Sequence, residues 1–347
     1  MIRIGLLTPL EGPAGIWGPS AEASAIMAIA EINATGGLLG REVDLVIANA
    51  GRTGADAAEA AAVAVDIDGI DAIVAMVPSY ARKPVLRVVS GRVPYVYTPQ
   101  FEGDEHDAGV LTVGETSDEL LKPGIEWLGT AKGASRYYLV GNDYVWPRAT
   151  FAKAKRMIRD AGGTVVGERI LPFGFEDYDL LFADIRRAQA DVVMPYLLGY
   201  EAIGFNRAFA ETGLARHCLR FTSGIDETIL YAIGPDATEN FYATSAYFST
   251  LRSRNNDAFL ERYHDSFGET PPPINAFGQS CYEGIHCLAS LVSAAGAFQQ
   301  PALRKRVGRI AQSRTARGTE PIAAAGISRP IHFATVEGCE FRIMSPT

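Results

Sequence analysis

Aromatic rings, hydroxyls and one carboxylate follow the apolar, strand-like runs along this chain. The residues placed in this way are Trp17, Ser79, Tyr97, Thr98, Tyr144, Tyr200, Asp226 and Tyr247. Open parallel sheets bind ligands outside the carboxyl ends of their strands, so these side chains are expected to line one site. The rings would supply apolar walls, and a few directed hydrogen bonds would orient a small polar molecule between them. A single tyrosine at a strand end could equally be a core residue, so the prediction depends on the placement of the whole set.

The segment GNDYVWPR joins a strand-like run, YYLV, to a helix-like segment that begins ATFAKAKR. It places two large rings, Tyr144 and Trp146, in a connection that offers them no core of its own. Pro147 suits the first turn of the helix, because a backbone N–H would have no helical partner there. Arg148 is expected to reach an acidic partner across the lobe. Tyr144 is predicted to form a ligand wall, and Trp146 either faces the ligand or packs beneath the loop.

Signatures of catalysis are absent from the sequence. It contains no G-x-S-x-G, G-x-x-x-x-G-K-[ST] or H-E-x-x-H motif, and the glycine-rich EGPAGIWGPS lacks the spacing of a dinucleotide loop. Cys281, His286 and Cys287 share one apolar segment, where helix geometry turns the two thiols about 120° apart. A buried helix face explains them better than a metal site. We therefore expect no enzyme, metal or cofactor; an amide hydrolase that uses Asp226 is the alternative.

Strand-length apolar runs alternate with helix-length segments from the first residues onward. IRIGLLTPL, EVDLVIAN, DAIVAMV and PYVYTP are separated by amphipathic or Ala-rich segments, and the pattern restarts at SRYYLVG. Continuous apolar strands with helices between them are typical of parallel sheets covered on both faces. Glycines in EINATGGLLG and IRDAGGTVVG are expected to end helices in the left-handed conformation. The sequence predicts an α/β fold of two doubly wound parallel-sheet lobes joined by a multi-strand hinge.

Length and charge limit the organisation and the partners of the chain. Its 347 residues are more than a single hydrophobic core usually accommodates, so two domains are expected. We assign 1–118 with 250–325 to lobe 1 and 119–249 with 326–347 to lobe 2, and we expect the ligand cleft between the lobes. The net charge of −8 argues against a nucleic-acid-binding surface. No stretch approaches the ~18 consecutive apolar residues that a membrane span needs.

Three segments resemble proteins of the type I periplasmic-binding-protein fold, in the branched-chain amino acid and amide-binding family. IGLLTPLEGPAGIWG with AEINATGGLLGREV is similar to the opening strand, ligand loop and first helix of that family. YTPQFEG resembles the Y-P-x-Q-Y-E-G segment of urea-binding proteins, and GNDYVWPR resembles their G-S-D-Y-x-[FY]-P-R. The resemblance covers nearly the whole chain, and the last two segments are specific to the urea and short-chain-amide branch.

The resemblance implies roles for individual residues. Trp17 would form a wall and Ser79 would supply a hydroxyl, while Tyr97 and Tyr144 would close on an amide from opposite lobes. The implied function is non-catalytic binding of urea, a short-chain aliphatic amide or an amino acid, in which the ligand shifts the population toward the closed state.

Other positions leave the choice of ligand open. Tyr200 and Asp226 fall where amino-acid-binding relatives place an aromatic ring and an ammonium-binding carboxylate, although a carboxylate could also accept N–H bonds from an amide. GETSDEL stands where the amide-binding branch usually carries G-x-x-P-N-Q, and Pro99 replaces a family hydroxyl. The C-terminal GTEPIAAAGISRPIHF also lacks the pattern of the family. These departures concern the ligand and the coupling to a permease, and they do not affect the predicted fold.

Two partners are compatible with such a protein besides its small ligand. An ABC permease would receive the solute, or a cytosolic regulatory protein would recognise the closed state; a homodimer is also expected, and neither nucleic acid nor membrane insertion is. Met1 directly before the first strand, and four cysteines without a C-x-x-C pair, favour a cytoplasmic protein. A periplasmic protein whose signal has been removed is the alternative.

Overall fold

Five apolar runs of the N-terminal part form an all-parallel sheet in the computed structural model of the chain. They are β1 (Ile2–Thr8), β2 (Val43–Asn49), β3 (Ala72–Ala75), β4 (Tyr95–Tyr97) and β5 (Val110–Thr112). Their order across the sheet is β2-β1-β3-β4-β5. Every residue of β3, β4 and β5 is buried, as expected for parallel strands that are covered on both faces.

The structure describes residues 1–312, 315–318, 320–321 and 330–344. The described residues of Met1–Gly114 and Arg252–Ser328 form one compact unit, and those of Glu115–Leu251 and Arg329–Thr347 form another. Residues 319 and 322–329 of the segment GTEPIAAAGISRPIHF lie outside the described residues.

Helices connect the strands of the first unit. They are α1 (Gly18–Ala34), α2 (Gly54–Asp66) and α3 (Ser79–Val89). Thr53 and Asp56 form a capping box at the start of α2, in which each side chain accepts a hydrogen bond from the backbone N–H of the other. Gly36 and Gly37 follow α1 with φ values of 98° and 75°, which confirms the predicted left-handed glycines at this helix end.

The second unit repeats the same alternation of strands and helices. Its parallel strands are β6 (Arg136–Asn142), β7 (Thr164–Leu171), β8 (Val192–Tyr196), β9 (Leu219–Thr222) and β10 (Phe241–Ser245). Its helices are α4 (Ser117–Lys132), α5 (Val145–Asp160), α6 (Asp179–Arg187), α7 (Tyr200–Glu211) and α8 (Glu227–Ile233). Gly162, just after α5, has a φ of 80°, so the left-handed glycine expected in this half is confirmed as well.

The unusual segment GETSDEL begins α4. Thr116 Oγ1 accepts from the Glu119 backbone N–H at 3.5 Å, and Glu119 Oε2 accepts from the Thr116 backbone N–H at 2.8 Å. Asp118 also accepts a hydrogen bond from Arg156 of α5, at 3.0 Å. The residues that depart from the amide-binding pattern therefore form a capping box and an ion pair between helices.

Beyond residue 251 the chain returns to the first unit. The elements there are α9 (Arg254–Phe267), α10 (Ala276–Ala295), α11 (Gln300–Arg304) and two short paired strands, β11 (Ala311–Gln312) and β12 (Glu320–Pro321). Asn275 caps α10, since its Oδ1 accepts from the backbone N–H groups of Phe277 and Gly278 at 3.0 and 2.9 Å. No helix in the described part of the chain is long and apolar enough to cross a membrane.

Two further strands extend the sheet of the second unit. With β13 (His332–Glu337) and β14 (Glu340–Ile343) its order is β7-β6-β8-β9-β10-β13-β14. β13 is antiparallel to β10, and β14 is antiparallel to β13. The sheet of this lobe is therefore parallel over β6 to β10, as predicted, with two antiparallel strands added at one edge. Gly338 adopts a φ of 62° in the two-residue turn between β13 and β14, so these two strands pair as an antiparallel hairpin.

A hydrogen-bonded carboxylate ties three helices of the first unit together. Glu31 of α1 accepts from Tyr282 Oη of α10 at 2.6 Å and from Arg262 Nε of α9 at 2.8 Å, and it lies 3.1 Å from His286 Nε2. Burial raises the pKa of Glu31, but the bonds to His286, Tyr282 and Arg262 outweigh it and lower the pKa to about 2. This carboxylate therefore links α1 to both α9 and α10.

Replacing Glu31 by Gln is expected to reduce stability in a pH-dependent way. The pKa of Glu31 is lower in the folded chain, about 2, than its ordinary value of 4.5. The stabilisation is therefore fully present above the ordinary pKa and is lost as the pH falls toward the folded value. Unfolding by guanidinium chloride at neutral pH should show a loss of about 2 to 3 kcal/mol in the variant, and the difference should shrink at pH 3.

Glu59→Gln is the matched control, because Glu59 is an exposed carboxylate on α2. It should change the free energy of unfolding by less than about 0.5 kcal/mol at either pH. Equal effects of the two substitutions at neutral pH would contradict this role of Glu31.

Candidate functional site

Ser79 and Tyr97 meet at the carboxyl edge of the first sheet. Tyr97 is the last residue of β4, and Ser79 is the first residue of α3, which follows the neighbouring strand β3. Their hydroxyl oxygens lie 3.5 Å apart, and Tyr97 is fully buried. Burial raises the pKa of Tyr97 to about 12, so its hydroxyl is protonated at neutral pH and can both donate and accept. Two of the predicted residues are therefore brought together.

A buried arginine lies directly beside Tyr97. The guanidinium carbon of Arg82 is 5.1 Å from the centre of the Tyr97 ring and 5.0 Å from that of Phe101, within the range of cation–π contacts. Arg82 Nη2 donates to Glu102 Oε1 at 2.5 Å, and Arg82 Nε donates to Glu105 Oε2 at 2.8 Å. Burial would lower the pKa of this guanidinium, but Tyr97 and the two carboxylates raise it above its ordinary value. The cation is therefore permanent.

Sequence reasoning missed Arg82. The rule that ligands bind outside the carboxyl ends of parallel strands, here called the strand-end rule, selects residues in the connections that follow strands. Arg82 lies inside a helix instead. Helical spacing is the signal that could have found it, because residues i and i+3 share one face and Ser79 stands three positions earlier. A basic residue one helical turn after a strand-end hydroxyl residue can therefore be identified from the sequence.

Trp17 and Thr98 have different surroundings from the Ser79–Tyr97 pair. Trp17 ends a 3-10 turn before α1, and its ring lies 4.2 Å from that of Phe277, centroid to centroid. Thr98 donates to the carbonyl oxygen of Ala75 at 3.3 Å, and its hydroxyl lies 3.8 Å from Cys281 Sγ of α10. The side chain of Thr98 is therefore directed toward α10.

The rings of GNDYVWPR pack inside the second unit. Tyr144 immediately precedes α5, and its ring centroid is 5.7 Å from that of Phe173 and 6.2 Å from that of Trp146. The Trp146 ring is 5.0 Å from that of Tyr196, and a methyl group at Gly224 would lie 2.9 Å from it. Trp146 thus packs against the ends of β8 and β9, and the Tyr144 ring lies next to it. Its indole N–H is buried and has no acceptor among the described residues.

Polar residues of the same loop hold neighbouring strand ends. Asn142, the last residue of β6, accepts from the backbone N–H of Leu198 at 2.8 Å, just beyond the end of β8. Arg148 pairs with Asp143 at 2.7 Å, and both side chains are exposed. The predicted partner of Arg148 across the lobe is therefore wrong. The first turn of α5 brings Arg148 back over its own loop, where a carboxylate is already present.

The remaining candidates of the second unit differ in exposure. Tyr200, the first residue of α7, is 57% exposed, whereas Tyr247, in the segment after β10, is buried. Asp226 is also buried and caps α8, because its Oδ1 accepts from the backbone N–H groups of Thr228 and Ile229 at 2.8 and 3.2 Å. This oxygen therefore satisfies two backbone N–H groups in the first turn of α8.

Glu227, the neighbour of Asp226, is a second residue that sequence reasoning missed. It is buried, and its Oε1 accepts from the backbone N–H of Ser249 at 2.6 Å. Burial raises the pKa of Glu227 to about 7, so the carboxyl is partly protonated near neutral pH. Two consecutive acidic residues at a helix start are usually solvated, so the sequence offers no signal for this burial.

The described residues show no arrangement that suits a metal, and Cys281 does not suit a reactive thiol. No group of three His, Cys, Asp or Glu side chains in this part of the chain could hold a metal ion. Cys281 and Cys287 are buried in α10, and His286 is engaged with Glu31, which confirms the interpretation of these residues as a buried helix face. Burial raises the pKa of the Cys281 thiol to about 12, so this thiol is not nucleophilic at neutral pH.

Comparison with known proteins identifies the family. The family model described as periplasmic binding protein matches residues 1–335. The chain belongs to this periplasmic binding protein family. The resemblance seen in the sequence is thereby confirmed at the level of the family.

Two curated relatives cover most of the chain. The Leu/Ile/Val-binding protein BraC3 of Rhizobium johnstonii is 28% identical over 310 residues, which are 86% of this chain and 80% of the relative. The leucine-, isoleucine-, valine-, threonine- and alanine-binding protein of Pseudomonas aeruginosa is 25% identical over 306 residues, or 85% of this chain and 79% of that protein. These relatives are binding proteins, and this chain is a solute-binding protein rather than an enzyme.

Solved structures confirm the fold. A solute-binding protein of an R. palustris ABC transporter, in complex with 4-hydroxybenzoate, has a TM-score of 0.88 at 18% identity, covering 100% of this chain and 96% of that chain. The branched-chain amino acid transporter substrate-binding protein LivJ of Streptococcus pneumoniae, in complex with isoleucine, has a TM-score of 0.85 at 17% identity and covers 100% of both chains. The predicted α/β fold of the type I periplasmic binding proteins is therefore correct.

Membership of the periplasmic binding protein family contradicts the predicted cytoplasmic localisation. That prediction rested on Met1 before β1 and on the cysteines. A residue that precedes a strand carries no information about the compartment. Three of the four thiols are buried, so they are shielded from partners under oxidising and reducing conditions alike.

The surroundings of Thr98 give a test of its structural role. A methyl group at Gly284 of α10 would lie 2.5 Å from Thr98 Cγ2, closer than carbon atoms can approach. Gly284→Ala should therefore destabilise the chain by about 1 to 3 kcal/mol, although Ala is the better helix former by about 1 kcal/mol. Thr98→Ser removes the opposing methyl group, so the double variant should recover most of the loss in chemical denaturation.

A stabilising effect of Gly284→Ala, or additive losses in the double variant, would contradict the packing of Thr98 against α10. Gly129→Ala, in α4, is the control, because a methyl group there meets only one atom, at 3.9 Å. It should be neutral or stabilising by up to about 1 kcal/mol.

Proposed function

We propose that the chain binds a small polar solute, such as urea, a short-chain amide or an amino acid, and presents it to an ABC permease. The residues proposed to contact the solute are the strand-end set Trp17, Ser79, Tyr97, Tyr144, Tyr200, Asp226 and Tyr247. Thr98 is left out, because its hydroxyl bonds the backbone of Ala75 and it lies against α10. Contact with a regulatory protein and association into a homodimer stay predictions.

The observation that supports this proposal most is the hydroxyl pair of Ser79 and Tyr97. Both side chains are uncharged at neutral pH, and each can donate to a carbonyl oxygen or accept from an N–H. Urea and simple amides present both groups side by side. The similarity of YTPQFEG and GNDYVWPR to the urea and amide branch supports the same class of ligand.

Two other ligand classes are supported by the relatives. An amino acid would agree with the names of the curated relatives, and its ammonium group would need a carboxylate such as that of Asp226. An aromatic acid would agree with the 4-hydroxybenzoate of the R. palustris protein and with the rings of Tyr144, Trp146 and Phe173. A screen for ligands must therefore include all three classes.

The screen is a thermal-shift measurement with urea, acetamide, propionamide, leucine, isoleucine, valine and 4-hydroxybenzoate. A ligand that binds only the folded chain raises the midpoint of unfolding, and the rise grows with the logarithm of its concentration relative to Kd. We expect stabilisation by urea or an amide. No stabilisation by any member of the three classes would contradict the proposed function.

Substitutions at the two tyrosines test the contacts with the solute. Tyr97→Phe removes one hydroxyl from a buried position, and we expect Kd to rise about 2- to 10-fold for the solute found in the screen. Tyr144→Ala removes a ring, and we expect Kd to rise about tenfold or more. Isothermal calorimetry measures both changes.

Tyr231→Phe is the control for the hydroxyl, since Tyr231 lies on α8 and is 53% exposed. Its Kd should equal that of the wild type. If neither Tyr97→Phe nor Tyr144→Ala alters Kd while both variants stay folded, these tyrosines do not contact the solute.

A further inference from the structure

In the ion pair beside Tyr97, each of the two side chains has a hydrogen-bonding atom without a partner among the described residues. Arg82 and Glu102 are 2% and 7% exposed, so both side chains are more than nine-tenths buried. Arg82 donates through Nε and Nη2, but Nη1 has no hydrogen-bond partner in the described part of the chain. Glu102 accepts at Oε1, but no donor among the described residues reaches its Oε2. One donor and one acceptor, both on charged groups, are therefore left over in a single pair.

Glu105, the third charged side chain of this cluster, has a hydrogen bond at each of its carboxylate oxygens. Glu105 accepts from Arg82 Nε at Oε2 and from the backbone N–H of Asp107 at Oε1, at 2.8 and 3.0 Å. Buried polar atoms of charged groups normally have a hydrogen-bond partner, because an atom buried without one loses its free energy of hydration and gains nothing in return. The unsatisfied atoms of Arg82 and Glu102 therefore call for a partner other than the described residues.

The position of the pair links it to the proposed solute. Arg82 shares one face of α3 with Ser79, and its guanidinium lies over the ring of Tyr97. Glu102 follows Tyr97 by five residues, in the connection between β4 and β5. All four side chains thus lie at the carboxyl edge of the first sheet, where open parallel sheets bind their ligands.

We propose that Arg82 Nη1 and Glu102 Oε2 contact the solute directly and together select an uncharged amide over the corresponding carboxylic acid. The inference rests on the proposed function. An amide can accept from Arg82 through its carbonyl oxygen and donate to Glu102 through its N–H. A carboxylate has no N–H for Glu102 and would place a second negative charge against Glu102 Oε2. This pairing makes Arg82 and Glu102 the specificity-determining residues of the first unit.

Pairs of amides and acids of equal shape test the selection. The probes are acetamide and acetate, propionamide and propionate, and benzamide and benzoate, titrated by calorimetry into the whole chain at neutral pH. For the pair that binds, we expect the amide to bind at least tenfold more tightly than the acid, since a hydrogen bond to a charged group changes affinity about 10- to 100-fold.

Glu102→Gln is the informative variant, and Glu105→Gln is its matched control. Both remove one carboxylate from the same cluster, but both oxygens of Glu105 are already used within the chain. Glu102→Gln should lower the ratio of amide to acid affinity at least tenfold, whereas Glu105→Gln should change it less than about threefold. Circular dichroism and thermal midpoints establish that each variant is folded.

If Glu102→Gln does not fold, the proposal is tested on the wild-type chain instead. The side-chain nitrogen resonances of Arg82, followed by NMR, should shift when propionamide is added to saturation, and unchanged resonances would overturn the proposal. Equal or tighter binding of the acids, or equal effects of the two Gln variants on the ratio, would also overturn it.

The panel separates this inference from the proposed function. If leucine or 4-hydroxybenzoate binds while all three amides fail, the selection of amides is wrong and solute binding stands. If no solute binds at all, the proposed function fails and the inference fails with it.

Discussion

Burial of parallel strands on both faces is the constraint on which the rest of this structure depends. In the first sheet the residues of β3 and β4 are all buried, so helices occupy both faces and only the strand ends are left for polar contacts. Register then decides which side chains meet. Ala75 pairs with Tyr97 across β3 and β4, and α3 begins four residues after Ala75, which places Ser79 beside the Tyr97 hydroxyl. The candidate site follows from this register.

Charge is buried at the same edge, and its arrangement limits what can bind there. Arg82 lies within cation–π distance of the rings of Tyr97 and Phe101 and is held by two carboxylates. A buried ion pair is weak support for stability, because the loss of hydration offsets much of the attraction between the charges. Its use is specificity: in a low-dielectric environment a ligand that leaves a charged atom unsatisfied is strongly disfavoured. Binding selectivity and the local packing of α3 therefore depend on the same side chains.

Much of the fold could be predicted from the sequence, because the period of apolar residues separates strands from helices and the glycines after α1 and α5 end their helices in the predicted conformation. The antiparallel edge of the second sheet was missed, since β14 has only four residues and its hairpin depends on one glycine, Gly338. Short strands carry too little periodicity to reveal the direction in which they pair.

The site was less predictable than the fold, and the reasons differ from residue to residue. Tyr97 and Thr98 are adjacent, and successive residues at a strand end turn to opposite sides, so one of the two was bound to face α10. Arg82 and Glu227 depend on contacts made far along the chain, with Glu102 and Ser249, which no local pattern contains. Arg148 was assigned a distant partner although Asp143 was nearer. Sequence patterns locate strand ends well, but tertiary contacts decide which side chains there remain available.

A crystal structure of the chain with the tightest-binding solute of the screen tests the central claim most directly. The account predicts a solute within hydrogen-bond distance of the hydroxyls of Ser79 and Tyr97, with its carbonyl oxygen at Arg82 Nη1 and an N–H at Glu102 Oε2. A solute bound elsewhere, with Arg82 and Glu102 satisfied by ordered water alone, would contradict it.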